Sequence, residues 1–213
     1  EACGSCWAFS ATAAFESAIR IHEEADRDLS AQQVILCNPY GYGCDGGWMG
    51  RAYDFFVAAG AAREECVPYV ADDADPCPDG RCFERDYLAG HHSVKSTIRD
   101  LKAALLDGPL AVAMTVHEDF LCYTGGCYSS TESGTPNHGI LLVGWDDTTC
   151  DGAGAWIVKN SWGPGWGDGG YGYIQYHSCG IGFGAEQVDY TPPTGIEIAH
   201  TPIDDPPRSA DPL

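Results

Sequence analysis

Eleven of the 213 residues are cysteine, and that number is odd. Thiols stay reduced in the cytosol, so this density points to an oxidising compartment and several disulfides. Five bridges would use ten cysteines, and parity alone asks which thiol stays free. The length suits one large domain or two small ones sharing an interface. Hydrophobic residues make up 44% of the chain, enough to fill a core and to argue against wholesale disorder.

Asp and Glu number 31 against 11 Lys and Arg, a formal charge of −20, and only Lys95, Lys102 and Lys159 are lysines. Such a surface repels phosphate backbones and anionic lipid, so neither nucleic acid nor membrane is an expected partner. No stretch reaches the roughly 18 unbroken apolar residues of a membrane helix. The acidity reads either as the solvated surface of a secreted protein or as adaptation to high salt. The chain opens on Glu1-Ala2-Cys3 without Met or signal peptide, and reads as an excised or truncated piece.

The first half has helical period. Trp7, Ala11, Phe15, Ala18 and His22 recur at three- and four-residue steps between Ser5 and about Ala25, as a buried helix face requires. Ser30-Ala31-Gln32-Gln33 fits a capping box that opens a short helix toward Cys37. A third helix is expected over Trp48–Ala59, with Gly60 placed to stop it. Between Cys66 and Cys82 runs an acidic loop with Asp72, Asp73, Asp75 and Asp79. A stapled, solvated loop is preferred there to a calcium site, because no glutamate closes the pattern.

The second half changes period. A helix is expected over Asp100–Leu106, ended by Asp107-Gly108-Pro109. Strand-like runs follow at Leu110–Val116, Gly139–Gly144, Trp156–Lys159 and Tyr171–Tyr176. Helices first and an antiparallel sheet afterwards make an α+β chain with segregated halves. From Thr191 the sequence turns Pro/Asp-rich and reads as a linker or tail. The expected division is a helical lobe over 1–90, a β lobe over 91–190 and a tail over 191–213.

Three chemistries compete for Cys3-Gly4-Ser5-Cys6-Trp7-Ala8-Phe9-Ser10. A redox dithiol would follow a strand in a βαβ unit, and none is evident. A zinc knuckle would need a second Cys-x-x-Cys, whereas Cys77/Cys82 and Cys122/Cys127 are spaced differently. The third places Cys6 in the first helical turn, where free N–H groups and the helix dipole stabilise a thiolate. A thiolate nucleophile then needs an imidazole to pair with it and to protonate a leaving amine. Seven histidines are available. His91, His92, His117 and His177 fall near element ends, His22 on the buried face of the first helix, and His200 in the tail. His138 stands at the mouth of the apolar run Gly139–Gly144, a rigid mount with a glycine beside it for close approach.

Together these blocks resemble the papain/cathepsin family of cysteine proteases. Cys-Gly-Ser-Cys-Trp with His and Asn about 130–150 residues downstream is that family's pattern. Trp156-Ile157-Val158-Lys159-Asn160-Ser161-Trp162-Gly163-Pro164-Gly165-Trp166-Gly167 resembles its Asn-Ser-Trp-Gly-x-x-Trp-Gly block, and Gly43-Cys44-Asp45-Gly46-Gly47 its Gly-Cys-x-Gly-Gly element. The resemblance implies a two-lobe fold, a helical left lobe and an antiparallel β-barrel-like right lobe with the active site in the cleft between them. It implies Cys6 as nucleophile, His138 as base and Asn160 as the residue orienting that base. Trp162 would shield the His138–Asn160 bond, and the Cys6 backbone N–H would be one oxyanion donor. No cofactor or metal is expected.

The family's second oxyanion donor is a glutamine six residues before the nucleophile, one place before Glu1 here. That donor is expected to be missing from the chain as given, at a cost of about 10²–10³ in turnover. The substrate peptide would pair with Gly46 and Gly47, with Trp48, Met49, Ala113, Gly139 and Gly184 lining a roomy apolar pocket for a bulky P2 side chain and Asn137 as a further substrate-binding residue. The resemblance also suggests Cys3–Cys44. The run Glu65-Cys66-Val67-Pro68-Tyr69 with Cys77 and Cys82 resembles the cathepsin C loop, which suggests Cys37–Cys77 and Cys66–Cys82. Elimination adds Cys122–Cys127 and Cys150–Cys179, with Cys6 as the one free thiol.

The two-histidine occluding insertion of cathepsin B is missing, and His91-His92 is expected on a strand, so an endopeptidase is favoured over a carboxydipeptidase. A non-catalytic binding module, an exopeptidase and a peptide ligase on the same thioester are the alternatives. The implied partners are a peptide or protein substrate and a propeptide or cystatin-like inhibitor, with the chain a monomer. The implied location is secreted or another oxidising compartment: extracellular, periplasmic or lysosome-like.

Overall fold

The apolar stripe near the N-terminus becomes helix α1 (Cys6–Glu23) in the computed structural model, which describes residues 3–78, 80, 82–131 and 134–193. Asp79 and residues 194–213 of the expected tail lie outside the described residues. Trp7, Ala8, Ala11, Ala14, Phe15, Ala18 and Ile19 make the buried face of α1, and Glu24 ends it in a left-handed conformation (φ 55°). His22 departs from expectation. The inward stripe stops at Ile19, and His22 is exposed beside Tyr190, ring centroids 6.1 Å apart.

Ser30 caps α2 (Ala31–Cys37) by accepting the Gln33 N–H at 2.9 Å. Helix α3 (Met49–Ala59) stops at Gly60, whose φ of 72° suits a residue without Cβ. These three helices share one apolar cluster around Trp7, Phe15, Tyr53 and Phe56. Cutting the fully buried Phe15 back to Ala would cost about 3–5 kcal/mol.

The chain then forms a short ladder of β1 (Ala61–Ala62) with β2 (Arg85–Asp86), and strand β3 (Gly90–Ser93), which carries His91 and His92. Helix α4 (Ile98–Leu105) starts two residues before the expected Asp100, because Thr97 caps it by accepting the Asp100 N–H. Next come β4 (Leu110–Met114), α5 (Glu118–Leu121), β5 (Cys127–Tyr128), β6 (His138–Asp146), β7 (Ala155–Lys159), β8 (Tyr171–Gln175) and β9 (Phe183–Asp189). Seven strands form one sheet in the order β3-β9-β4-β6-β7-β8-β5, antiparallel except for the parallel pair β5–β8. Among the described residues the sheet is open, with β3 and β5 at its edges, so the expected antiparallel, barrel-like lobe does not close into a barrel.

Period-two alternation divides this sheet. Ala111, Ala113 and Leu141 join the helical cluster, while Leu110, Val112, Met114, Ile140 and Leu142 face a second core with Leu101, Phe120 and Trp156. The small residues on the helical side let α1 lie close over β4 and β6. Strand β9 has no counterpart among the strand-like runs of the sequence. Its residues, Phe-Gly-Ala-Glu-Gln-Val-Asp, bury only Ala185 and Gln187 and show no strong apolar alternation.

Disulfides join Cys3–Cys44, Cys37–Cys77, Cys66–Cys82 and Cys127–Cys150. The last overturns two expectations, Cys122–Cys127 and Cys150–Cys179. Parallel pairing with β8 carries Cys127 along the sheet edge toward the β6–β7 loop, where the Cys127 and Cys150 Cα atoms are 5.3 Å apart. Three cysteines therefore stay as thiols instead of one: Cys6, the exposed Cys122 and the buried Cys179. In the acidic loop two of the aspartates serve backbone amides: Asp72 accepts the Ala74 N–H, and Asp73 the Cys44 N–H.

Candidate active site

Cys6 is the first residue of α1, directly after the N-cap Ser5, and the first turn of the helix contains no acidic side chain. Its sulfur therefore sits where helix N–H groups lack intrahelical acceptors and the dipole is positive. The turn is clamped from one side by the 43–47 loop. Beyond the Cys3–Cys44 bridge, the Gly4 N–H donates to Cys44 O at 2.7 Å, and Trp7 Nε1 donates to Gly43 O at 3.2 Å. Gly47 lies flat on the Trp7 indole, where a Cβ would come within 2.6 Å of the ring. Gly46 adopts φ 110°.

From the other side comes β6. A Cβ on Gly139 would stand 3.0 Å from Cys6 O and 3.1 Å from Trp7 Cα. The strand backbone thus abuts the first turn of α1, and Ser10 Oγ seals the contact by donating to Ile140 O at 2.8 Å. The residue before Gly139 is His138, buried at 7% exposure. Its Nε2 lies 2.9 Å from Asn160 Oδ1, on the loop leaving β7.

Asn160 Oδ1 also accepts the Ser161 N–H at 2.8 Å, which fixes the orientation of the amide. An oxygen facing Nε2 means that Nε2 carries the proton and Nδ1 is the free base in the neutral ring. Burial lowers the His138 pKa below the ordinary histidine value, and the Asn160 bond works the other way. Trp162 stacks at a tilt on His138, centroids 4.8 Å apart, and remains 38% exposed. Phe120 and Trp166 hold it edge-on. The Asn160 Nδ2 is buried and has no partner among the described residues.

The expected pocket residues divide. Trp48 is 46% exposed, and its ring lies 3.4 Å from where a Gly184 Cβ would be, with Phe183 beside it at 6.0 Å. Trp48 thus occupies space that the glycine leaves. Met49, at 2% exposure, belongs to the helical core. Ala113 pairs with Gly139 in the β4–β6 ladder. Asn137 turns both ends of its amide to Val116, accepting its N–H at 2.7 Å and donating to its carbonyl at 3.0 Å.

Glu16 is absent from the residues that sequence reasoning singles out. It borders a cavity of about 280 Å³ that also touches Ser10, Gly139 and Asn160. Its Oε1 accepts the Leu29 N–H at 2.8 Å, and burial raises its pKa to about 7. A signal is available, since Glu16 is the only charged side chain between Ala2 and Ile19.

The family profile described as papain family cysteine protease matches residues 1–188. The chain belongs to that family. This papain-family chain is 36% identical over 171 residues to fruit bromelain from Ananas comosus, covering 79% of itself and 48% of that relative. It is 39% identical over 183 residues to cathepsin B-like CP1 of Giardia intestinalis, covering 79% of itself and 59% of the relative. The chain spans between 36% and 64% of the length of the curated relatives it matches. Among solved structures, the bromelain protease in complex with the E64 inhibitor superposes with a TM-score of 0.81 at 32% identity, covering 89% of this chain and 90% of that one. The proform of the ragweed pollen allergen Amb a 11 gives 0.82 at 31% identity, covering 89% of this chain and 60% of the other. Four disulfides and this kinship suit an oxidising or secretory compartment.

Proposed function

We propose that this chain is the catalytic part of a cysteine endopeptidase, with Cys6 as nucleophile, His138 as acid and base, and Asn160 orienting His138. The observation that supports it most is the 2.9 Å bond from His138, on the strand that abuts the first turn of α1 through Gly139, to Asn160 on the loop leaving β7. Burial disfavours an isolated imidazolium at His138, so the reading requires an anion to face it, and the proposed one is the Cys6 sulfur.

In the acylation step the Cys6 sulfur bonds to the scissile carbonyl carbon, and the electron pair of the carbonyl moves to oxygen. The backbone N–H of Cys6 faces that oxyanion. Collapse expels the amine, which takes the proton from His138 Nδ1 and leaves a thioester on Cys6. Water then gives a proton to His138 and its oxygen attacks the thioester; collapse releases the acid and the Cys6 thiolate, which faces the protonated His138 as at the start of the cycle. Asn160 holds the Nε2 proton throughout, and Trp162 limits water at that bond.

Residues 1–90 are taken as the lobe carrying Cys6 and 91–190 as the lobe carrying His138 and Asn160. An extended substrate would lie along Gly46 and Gly47, with its P2 side chain among Trp48, Ala113, Gly139 and Gly184. Because Trp48 lies over Gly184, that pocket takes a flat or medium apolar group more readily than the bulky one expected from small residues alone. A propeptide is a reasonable partner, since structural neighbours include proforms. A secreted or lysosome-like setting and a monomeric state complete the reading.

Covalent labelling by E-64 tests it. An adduct confined to the Cys6 peptide, lost in His138→Ala, supports the proposal. If Cys6 reacts with a simple thiol reagent but never with E-64, the chain is a binding module. A peptide blocked at both ends and still cut would establish endopeptidase action.

A further inference from the structure

Helix α3 and strand β9 supply the two sides of the proposed P2 pocket, Trp48 at the helix cap and Gly184 at the strand start. Between them, behind the pocket, one histidine bonds to both. His91 Nδ1 lies 2.9 Å from Glu186 Oε2 on β9, and its Nε2 lies 3.1 Å from Asp54 Oδ1 on α3. Glu186 is two residues beyond Gly184 on β9, next to the irregular pairing of that strand with β4. Ionised carboxylates only accept hydrogen bonds, so this geometry requires both ring nitrogens of His91 to donate.

We propose that His91, with both ring nitrogens protonated, is a positioning residue that latches α3 to β9 and so sets the spacing of the two walls of the P2 pocket. The proposal rests on the protease reading above for what the pocket does, but not for the latch itself.

The surroundings fit a dedicated joint. Gly50 is the point where α3 backbone meets it: a Cβ there would be 3.5 Å from Glu186 Oε1 and 3.6 Å from His91 Cε1. Ser93 Oγ donates to Glu186 Oε1 at 2.7 Å, holding that carboxylate from β3. Arg51 donates to Asp54 at 2.8 Å from within α3. Tyr53 packs its ring 5.5 Å from His91, with its hydroxyl buried. The neighbouring His92 is engaged separately with Asp189 at 3.0 Å.

The titratable and charged groups facing the latch are therefore Asp54, Arg51 and Tyr53 from α3, Glu186 from β9, and His92 with Asp189 at its margin. Burial works against charge on His91, yet the bonds to Glu186 and Asp54 outweigh it and hold the pKa above the usual histidine value. A raised histidine pKa means that the latch is complete below the ordinary histidine range and is lost as pH rises through the raised value. Deprotonation turns one ring nitrogen into a lone pair aimed at a carboxylate. One bond then breaks, and the pocket walls are no longer tied.

Peptide hydrolysis by the whole chain across a pH range of about 5 to 9, with separate KM and kcat, tests this. In the wild type KM for a substrate with an aromatic P2 residue should rise about threefold to tenfold with pH, the scale of one net hydrogen bond, while kcat follows its own profile. His91→Gln should have the high KM at every pH. Glu186→Gln keeps an acceptor but removes one charge, and should move the KM transition to lower pH. A KM profile unchanged in both variants overturns the latch. Should His91→Gln fail to fold, Glu186→Gln alone decides, since a merely structural role would not move a midpoint. Absence of both turnover and E-64 labelling in the wild type defeats the protease reading instead. The latch is then judged by the NMR titration of His91, and an ordinary midpoint there, unmoved by Glu186→Gln, overturns it.

Discussion

Gly139 and Cys6 meet at backbone distance: a methyl group on the glycine would sit 3.0 Å from the cysteine carbonyl oxygen. Because His138 is the neighbouring residue on β6, this contact sets where the imidazole stands relative to the sulfur. Gly139→Ala asks the strand to give way by a few tenths of an ångström and should cost only a few-fold in kcat/KM. Gly139→Val pushes the strand further, and a displacement near 1 Å can cost about 10²-fold. Steady-state kinetics on folded variants checks the order. Equal activity in Val and wild type would show that the contact positions nothing.

Asn160→Ala removes the partner of a buried ring N–H. Losing a hydrogen bond to a group that becomes charged is worth about 1.5–3 kcal/mol, so kcat/KM should fall roughly 10- to 150-fold. The rate of E-64 labelling should fall in parallel, since both need the same imidazole orientation. A fall in turnover with unchanged labelling would assign Asn160 to substrate binding.

Glu16 gives stability a pH dependence of definite sign. Its folded pKa of about 7 lies above the ordinary value of 4.5, so the folded state binds the extra proton between those values. Its contribution is complete below about 4.5 and is lost as pH rises through 7, at most on the order of 3 kcal/mol. Glu16→Gln keeps an oxygen for the Leu29 N–H and should lose less stability than wild type between about pH 5 and 8. Thermal or urea unfolding at both pH values measures this. Parallel losses would mean that Glu16 titrates normally.

A thiol count separates the observed bridges from the expected ones. The native chain should offer Cys6 and Cys122 to Ellman's reagent, and unfolding without reductant should add Cys179 for a total of three. Burial pushes the Cys179 thiol pKa up, so it should be slow until the fold opens. A total of one would restore Cys122–Cys127 and Cys150–Cys179.

What can be read in the sequence is what local chemistry encodes. The Ser30 cap, the Gly60 stop and the stripe from Trp7 to Ile19 each depend on residues three or four apart. His138 and Asn160 stand out because their flanking blocks are distinctive. The His91 joint escapes notice because its partners lie 37 and 95 residues away. Cys127–Cys150 escapes for a similar reason: the parallel β5–β8 pairing that brings it about cannot be seen in cysteine spacing. His22 shows the opposite failure, a periodic position that continues past the end of the core it should face.

The bridges Cys3–Cys44, Cys37–Cys77 and Cys66–Cys82 overlap in sequence, each loop beginning before the previous one closes. A single backbone cut anywhere from residue 3 to residue 82 therefore falls inside at least one covalent ring, and the two pieces stay joined. If the chain cuts peptides, autolysis in this half leaves the nucleophile helix tethered rather than shed. Between residues 82 and 127, and again beyond residue 150, no ring among the described residues offers that protection, and a first irreversible self-inflicted break belongs in one of those stretches.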